Sequence, residues 1–407
     1  MPKPRIPLIY GGSAIGAAGT FSSLTDAKKA QKVVDALHEG VPIDRMPLVI
    51  RLHEEEQDED QAALESVPVE AIDTSNVYGF GSSEKACFLA SPRLGSSLYT
   101  QILGEMDLYE CAVDTKFYPL APGDHSRAKL REAYDRMLES LGEKRVRVLY
   151  LNAPDHATPF EETLAAMDEL YQEGKFEMLG LSNYRTHEVA HIVTLCRAHG
   201  WVVPSVYQGV YNAVDRSVES ELIPCLRQFN IKFAAYCPLA GGYLTGNLLF
   251  EPELADGGVH LDLAPIPGPN TAPRPRLRQL HAKLRGSRRK FDPQNPFGKW
   301  YLTRYLHPKM NDTVLALCVV LDAHGISLHA ASIRWLQHHS ALLPTDLGIV
   351  FGGRTPAQVT QTLIYSVQGA LPEAVVTAFE ECYEQVKGSL PGFWIDPAQD
   401  HGVAASS

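Results

Sequence analysis

The sequence predicts an α/β protein built as a single-domain (β/α)8 barrel with two long irregular insertions. Three observations carry that reading. Short apolar or β-branched runs alternate with longer amphipathic stretches along nearly the whole chain. Such alternation implies a parallel sheet, and eight strand–helix units close most naturally into a barrel. The 407 residues suit one barrel of about 250 residues with additions better than two well-sized domains. Finally, the first strand runs into Gly11-Gly12-Ser13-Ala14-Ile15-Gly16. Gly11 and Gly16 do not give the G-x-G-x-x-G spacing of an open, doubly wound sheet.

The elements follow in order. A first strand, residues 7–10, is apolar and ends at a glycine pair. An amphipathic stretch over residues 27–39 reads as the first helix. The second strand, 69–73, ends in Asp73, and the third, 111–116, ends in Lys116. An amphipathic helix over 126–141 leads to a β-branched strand over 146–152. The next helix, 159–173, opens with a Thr158 cap, Pro159 at its first position and Glu161 three residues after the cap. Strands over 178–182, 205–208, 232–237 and 348–351 alternate with helical stretches over 187–199, 219–228 and 313–323. Thr355-Pro356 repeats the cap-plus-proline signal after the last strand. In a barrel these helix starts face the same rim as the strand ends, where reacting groups gather.

Two stretches break the rhythm. Residues 41–67 hold the acidic run from Glu54 to Asp60, and residues 261–289 hold Pro265-Ile266-Pro267-Gly268-Pro269 before a basic run. Connections this long are unusual inside a compact domain. They read as surface loops or disorder, with lids, partner-binding segments or translated non-coding sequence as the alternatives. The barrel is expected over residues 1–395 and a flexible tail over 396–407.

Composition bounds the function class. The chain is 45% hydrophobic and 21% charged, enough for a large core and unlike a disordered chain. A net charge of −11 argues against nucleic acid, which needs a basic face. The seven cysteines are widely spaced with no C-x-x-C pair, which fits a reducing compartment and offers no zinc site. No apolar window approaches a membrane span, and the N-terminus has no apolar signal stretch. A cytoplasmic protein is the expectation.

The strand ends carry the chemistry. After the second strand comes Asp73-Thr74-Ser75-Asn76-Val77-Tyr78-Gly79, after the third Lys116, and after the fourth Asn152-Ala153-Pro154-Asp155-His156. A tyrosine with a pKa near about 10 is a poor proton donor at neutral pH. A lysine ammonium close to its oxygen favours the phenolate, and a carboxylate holds that lysine charged and in place. Asp73, Tyr78 and Lys116 together suit protonation of a carbonyl oxygen as hydride reaches its carbon.

Asp73-Thr74-x-x-x-Tyr78-Gly79 with Ser83-Glu84 resembles the signature of the aldo-keto reductases, a family of TIM barrels. The resemblance is strongest to the aflatoxin-aldehyde reductase subfamily. It continues through Ala153-Pro154-Asp155-His156, Gln172-Glu173-Gly174-Lys175-Phe176 and Leu179-Gly180-Leu181-Ser182-Asn183-Tyr184. It extends over Val206-Tyr207-Gln208-Gly209-Val210-Tyr211-Asn212 and Pro238-Leu239-Ala240-Gly241-Gly242-Tyr243-Leu244-Thr245-Gly246. Six separate motifs fall in order, over nearly the whole chain apart from the irregular stretches and the tail.

That resemblance implies an NADP-dependent oxidoreductase of the alcohol dehydrogenase type, acting on CH–OH groups and the corresponding carbonyls, with NADPH as cofactor. By motif position, Gly12 and Ser13 would approach the nicotinamide end, and Ser182, Asn183 and Gln208 would hold its carboxamide. Tyr236 would stack on the ring. Pro238, Leu239, Gly241, Leu244 and Gly246 would line the pyrophosphate. Gly352, Arg354, Thr355, Gln358, Gln361 and Thr362 would form the adenosine-phosphate site, where helix amides attract anions and Arg354 can grip a 2′-phosphate. Thr362 stands where the family usually has asparagine. Tyr118 and the Phe393-Trp394 pair are candidate apolar walls for a small carbonyl substrate, beside Tyr78 and Asn152. The family includes homodimers.

One departure bears on catalysis. The family's tetrad has histidine before x-Pro-Asp, and this chain has Asn152. An asparagine amide can donate a hydrogen bond to a carbonyl but cannot relay a proton. His156 lies four residues on and accompanies that histidine in the subfamily. Two functions follow: a reductase in which Asn152 orients the carbonyl, or a cofactor-binding redox sensor with weak turnover. The potassium-channel β subunits of the superfamily are similar in carrying asparagine there.

Overall fold

The computed structural model describes residues 4–15, 24, 26–39, 69–76, 78, 106–109, 111–141, 144–249, 290–292 and 298–397. The stretches 41–67 and 261–289, residues 398–407, and Gly79, Ser83 and Glu84 of the tyrosine motif lie outside them.

Eight parallel strands close into a barrel in sequence order. They are β1 (Leu8–Gly11), β2 (Val69–Asp73), β3 (Ala112–Phe117), β4 (Val146–Leu151), β5 (Met178–Ser182), β6 (Val206–Val210), β7 (Lys232–Tyr236) and β8 (Gly348–Phe351). Closure is direct: β1 pairs with β2 through Gly11 opposite Asp73, and with β8 through Tyr10 opposite Phe351. The eight expected strands all form; β2, β5 and β8 keep the expected ends, and the others shift by a residue or two because the turn residues flanking each run do not by themselves say where pairing stops.

The helices around the barrel are α1 (Ala27–Glu39), α2 (Arg127–Leu141), α3 (Phe160–Gln172), α4 (Thr186–His199) and α5 (Leu222–Phe229). They continue with α6 (Gly298–Tyr305), α7 (Pro308–Ala323), α8 (Leu328–His338), α9 (Pro356–Ser366) and α10 (Glu373–Val386). Helices α6, α8 and α10 have no counterpart in the sequence reading, and α7 starts at Pro308 rather than Thr313, capped by the His307 ring. Thr355 caps α9 as expected, accepting from the Gln358 N–H. Thr158 does not cap α3. Its hydroxyl donates to Asp155 at 2.8 Å, and Pro159 takes the cap position without a side-chain bond. The buried Asp155 carboxylate also accepts from the backbone of Gly123, His125 and Ala157, so it outcompetes the helix end for that hydroxyl.

Two cores result. The larger lies between the strands and the helix shell. The smaller fills the barrel and contains Ile9, Ala71, Val148, Tyr150, Val206, Ala234, Leu347 and Val350. Strand side chains alternate faces. The series that fills the barrel therefore continues upward two residues at a time: Ala71 to Asp73, Tyr150 to Asn152, Val206 to Gln208, Ala234 to Tyr236. That is how a packed interior delivers polar side chains to one rim. Gly180 belongs to the same layer, because a Cβ there would lie 2.2 Å from the Tyr150 ring. Among the described residues no single helix is long and apolar enough to cross a bilayer.

Candidate active site

Asp73, the last residue of β2, and Lys116, near the end of β3, are fully buried and paired. The Lys116 ammonium donates to both carboxylate oxygens of Asp73, at 2.6 and 2.5 Å, and to the Thr74 carbonyl at 2.8 Å. Burial pulls the Lys116 pKa below the ordinary lysine range, opposed by the charges of Asp73 and Asp114. A buried pair of this kind is costly to break from one side, about 3–5 kcal/mol, since a lone charge is left behind.

Tyr78 completes the group. Its hydroxyl donates to Asp73 Oδ2 at 3.2 Å and accepts from Lys116 Nζ at 3.3 Å. The ammonium also lies 4.9 Å from the Tyr78 ring centroid. The ring is half-buried against Tyr118 and Ala153. Its oxygen thus meets an ammonium and a carboxylate together, the environment a proton-donating phenol needs. The structure brings together the three residues expected to act as one, along with Tyr118.

Asn152 follows β4 and is buried. Its amide nitrogen donates to Ser75 Oγ at 3.2 Å, and its carbonyl accepts from the Asn183 amide at 2.7 Å. His156 turns to Glu188 of α4 at 2.6 Å and is engaged there.

The next strand ends carry the expected cofactor residues. Asn183 follows β5 in a left-handed conformation (φ 64°), and its side chain also donates to Ser182 Oγ at 3.0 Å. Tyr236, ending β7, donates its hydroxyl to Asn183 Oδ1 at 2.9 Å, and burial raises its pKa. Gln208 follows two residues above Val206 on β6, and its amide nitrogen donates to Asp73 Oδ1 at 2.8 Å. Gly12 donates its N–H to the Asp73 carbonyl at 2.9 Å, which places the Gly12-Ser13 turn beside the buried pair.

After Pro238 the chain forms a tight 3-10 turn, Ala240–Thr245, with positive φ at Ala240, Gly241, Gly242 and Gly246. Gly241 is required there twice over: φ is +69° and a Cβ would sit 2.6 Å from the Tyr301 ring. Leu239 is half-buried, whereas the Leu244 side chain is buried in the core, so only its backbone can face a ligand. Past β8, Gly352, Arg354 and Thr355 are exposed at the start of α9, with Gln358 and Gln361 half-buried. The Arg354 N–H donates to Gln358 Oε1 at 2.8 Å. Thr362, next to Gln361 on α9, is buried, and its hydroxyl meets the Gln358 carbonyl and the His329 ring.

The donor set suits a dinucleotide. Side-chain amides and an aromatic ring lie at the ends of β5, β6 and β7, a glycine turn follows β7, and a capped helix start with an arginine follows β8. Sequence reasoning missed three contributors: the Thr74 carbonyl on Lys116, Ser75 on Asn152, and Tyr150, whose ring lies 5.7 Å from the Lys116 ammonium. Their strand-end positions were visible, but a backbone acceptor leaves no mark in residue identity.

Comparison with known proteins points one way. Residues 51–384 match the family model described as Aldo/keto reductase family. The chain is 36% identical over 330 residues to "Aldo-keto reductase family 7 member A3" of Homo sapiens, covering 79% of this chain and 87% of that one. It is 34% identical over 330 residues to "Aflatoxin B1 aldehyde reductase member 2" of Mus musculus, covering 79% and 78%. It is 30% identical over 397 residues to "Aldo-keto reductase pigE" of Monascus ruber, covering 97% and 98%.

Proposed function

The chain belongs to the aldo/keto reductase family, and from that premise we propose that it reduces aldehyde or ketone carbonyls to alcohols with NADPH. The observation that carries this reading is the Tyr78 hydroxyl between the Lys116 ammonium and the Asp73 carboxylate. A bound reduced nicotinamide would supply hydride to the carbonyl carbon. Tyr78 gives its proton to the carbonyl oxygen as charge develops there. Lys116 stabilises the phenolate left behind, and Asp73 keeps Lys116 charged and aimed. Asn152 holds the carbonyl through its amide nitrogen, with Ser75 and Asn183 setting the orientation of that side chain and its backbone.

Arg354 and the start of α9 support a phosphorylated cofactor, since a guanidinium grips a 2′-phosphate bidentately and helix amides favour anions. The names of the relatives support a reactive aldehyde as substrate. A cytoplasmic setting and a homodimer belong to the same reading. The test is NADPH oxidation across a panel of aldehydes and ketones, with Tyr78→Phe alongside. Loss of about 10²–10⁴-fold in kcat/KM with cofactor affinity retained is the expected result. Turnover unchanged in Tyr78→Phe refutes the mechanism. NADPH binding without turnover on any carbonyl supports the redox-sensing alternative that Asn152 raises.

A further inference from the structure

Helix α10 is followed by a segment that runs back across the barrel rim to the end of β5. Arg304 of α6 is fully buried and pairs with the buried Asp215 at 2.7 Å. Its guanidinium also donates to the carbonyls of Pro391, at 3.3 Å, and Gly392. Phe393 is buried, and the Arg185 guanidinium lies 5.3 Å from the Trp394 ring. The Ile395 N–H then donates to the Asn183 carbonyl at 3.1 Å.

Asn183 is the residue this contact reaches, and its backbone is left-handed, as it also is at Cys237 after β7. Asparagine adopts this backbone more readily than most residues, but which of its conformations persists is set by its surroundings. Here the side chain is held by Asn152, Ser182 and Tyr236. The remaining backbone contact, on its carbonyl, comes from Ile395. The same Arg304–Asp215 pair is joined to the end of β7: Tyr305 donates to Asp215, and Asn212 donates to both Tyr305 and the Cys237 carbonyl. One buried charge pair therefore links the end of β6, the end of β7 and the C-terminal segment that contacts the end of β5.

We propose that residues 391–395 form a clasp that positions Asn183, with Ile395 acting through its backbone N–H and Arg304 anchoring the clasp. The proposal rests on the reading of Asn183 as a nicotinamide-end residue. Without the clasp, Asn183 relaxes toward an extended backbone, and its amide and the Tyr236 hydroxyl lose their register. The nicotinamide end weakens while the adenosine-phosphate end, built on β8 and α9, does not.

Ile395→Pro deletes the donor; Ile395→Ala keeps it. The readouts are the dissociation constants of NADPH and of adenosine 2′,5′-bisphosphate, which lacks the nicotinamide end. The expected result for Ile395→Pro is NADPH binding weaker by about tenfold, as for loss of one hydrogen bond, with the bisphosphate within about twofold of wild type. Ile395→Ala binds both as wild type does. Trp394→Ala, which loosens the clasp and leaves every backbone donor, shows the same selective loss and carries the test if the proline variant does not fold. The clasp is overturned if NADPH affinity is unchanged in both, or if the two ligands weaken together. Wild-type protein that takes the bisphosphate and no nicotinamide dinucleotide overturns the functional reading itself.

Discussion

The Lys116 ammonium stands 3.3 Å from the phenolic oxygen of Tyr78, across two strand ends. Both residues also contact the same Asp73 carboxylate. The surroundings of the Tyr78 hydroxyl therefore include a charge held in a site where burial opposes it.

The first prediction concerns pH. Burial lowers the Lys116 pKa, and the Asp73 charge is the largest influence opposing it. As pH rises through that lowered value Lys116 loses its proton and Tyr78 loses its support. The alkaline fall in kcat/KM for carbonyl reduction should therefore begin below the ordinary lysine value of about 10.4. Asp73→Asn removes the opposing charge and should shift the fall to still lower pH. A pH–rate profile in which the limb stays put or moves upward would count against this arrangement.

Asn152 gives the second. Its amide nitrogen is the donor nearest the role usually filled by a titratable side chain. Asn152→Ala should reduce kcat/KM about tenfold, the order expected for one hydrogen bond to a developing charge. Asn152→His should raise kcat, because imidazole adds a group that can carry a proton at neutral pH. Steady-state kinetics on one good carbonyl substrate decide both. A slower histidine variant would mean that position 152 does not limit the rate.

Cofactor choice gives the third. Arg354 is exposed at the start of α9, beside the Thr355 cap. Arg354→Ala should weaken NADPH about ten- to hundredfold, the worth of a charge-assisted bidentate contact, and leave NADH affinity nearly unchanged. Titration of both cofactors checks it; equal losses for the two would show that Arg354 does not read the 2′-phosphate.

Stability in acid gives the fourth. His125 is buried beside Asp155, and burial lowers its pKa from 6.5 to about 4. The folded protein thus refuses a proton that the unfolded chain accepts. The stability this represents is intact above about pH 6.5, drains as pH falls toward 4, and is gone below it. It amounts to about 3 kcal/mol. His125→Gln should flatten the acid side of a stability-versus-pH curve from chemical denaturation. A variant with the wild-type acid slope would show that other groups drive the loss.

Much of the site could be read before the fold was known. Asp73, Tyr78, Lys116 and Asn152 were legible because each closes a strand or follows one, and a barrel sends strand ends to one rim. Gln208 was placed at its strand end, and its contact with Asp73 was not foreseen. Residue identity does not say that the Asp73 carboxylate lies within reach of that amide across the barrel. Thr158 failed as a cap for a similar reason: Asp155, three residues away, offered its hydroxyl a stronger acceptor. Thr362 faces inward because its place on α9 puts it on the buried side.

The sequence by itself determined the alternation of strands and helices, and hence the parallel barrel, because residue periodicity is a local property of the chain. It also determined which reacting groups were available and that histidine is absent from position 152. The tertiary structure alone decided which polar atoms meet: Gln208 with Asp73, Ser75 with Asn152, and Ile395 with Asn183. Those contacts span as many as 212 residues of chain. They depend on barrel closure and on the path of the C-terminal segment, which no local pattern encodes.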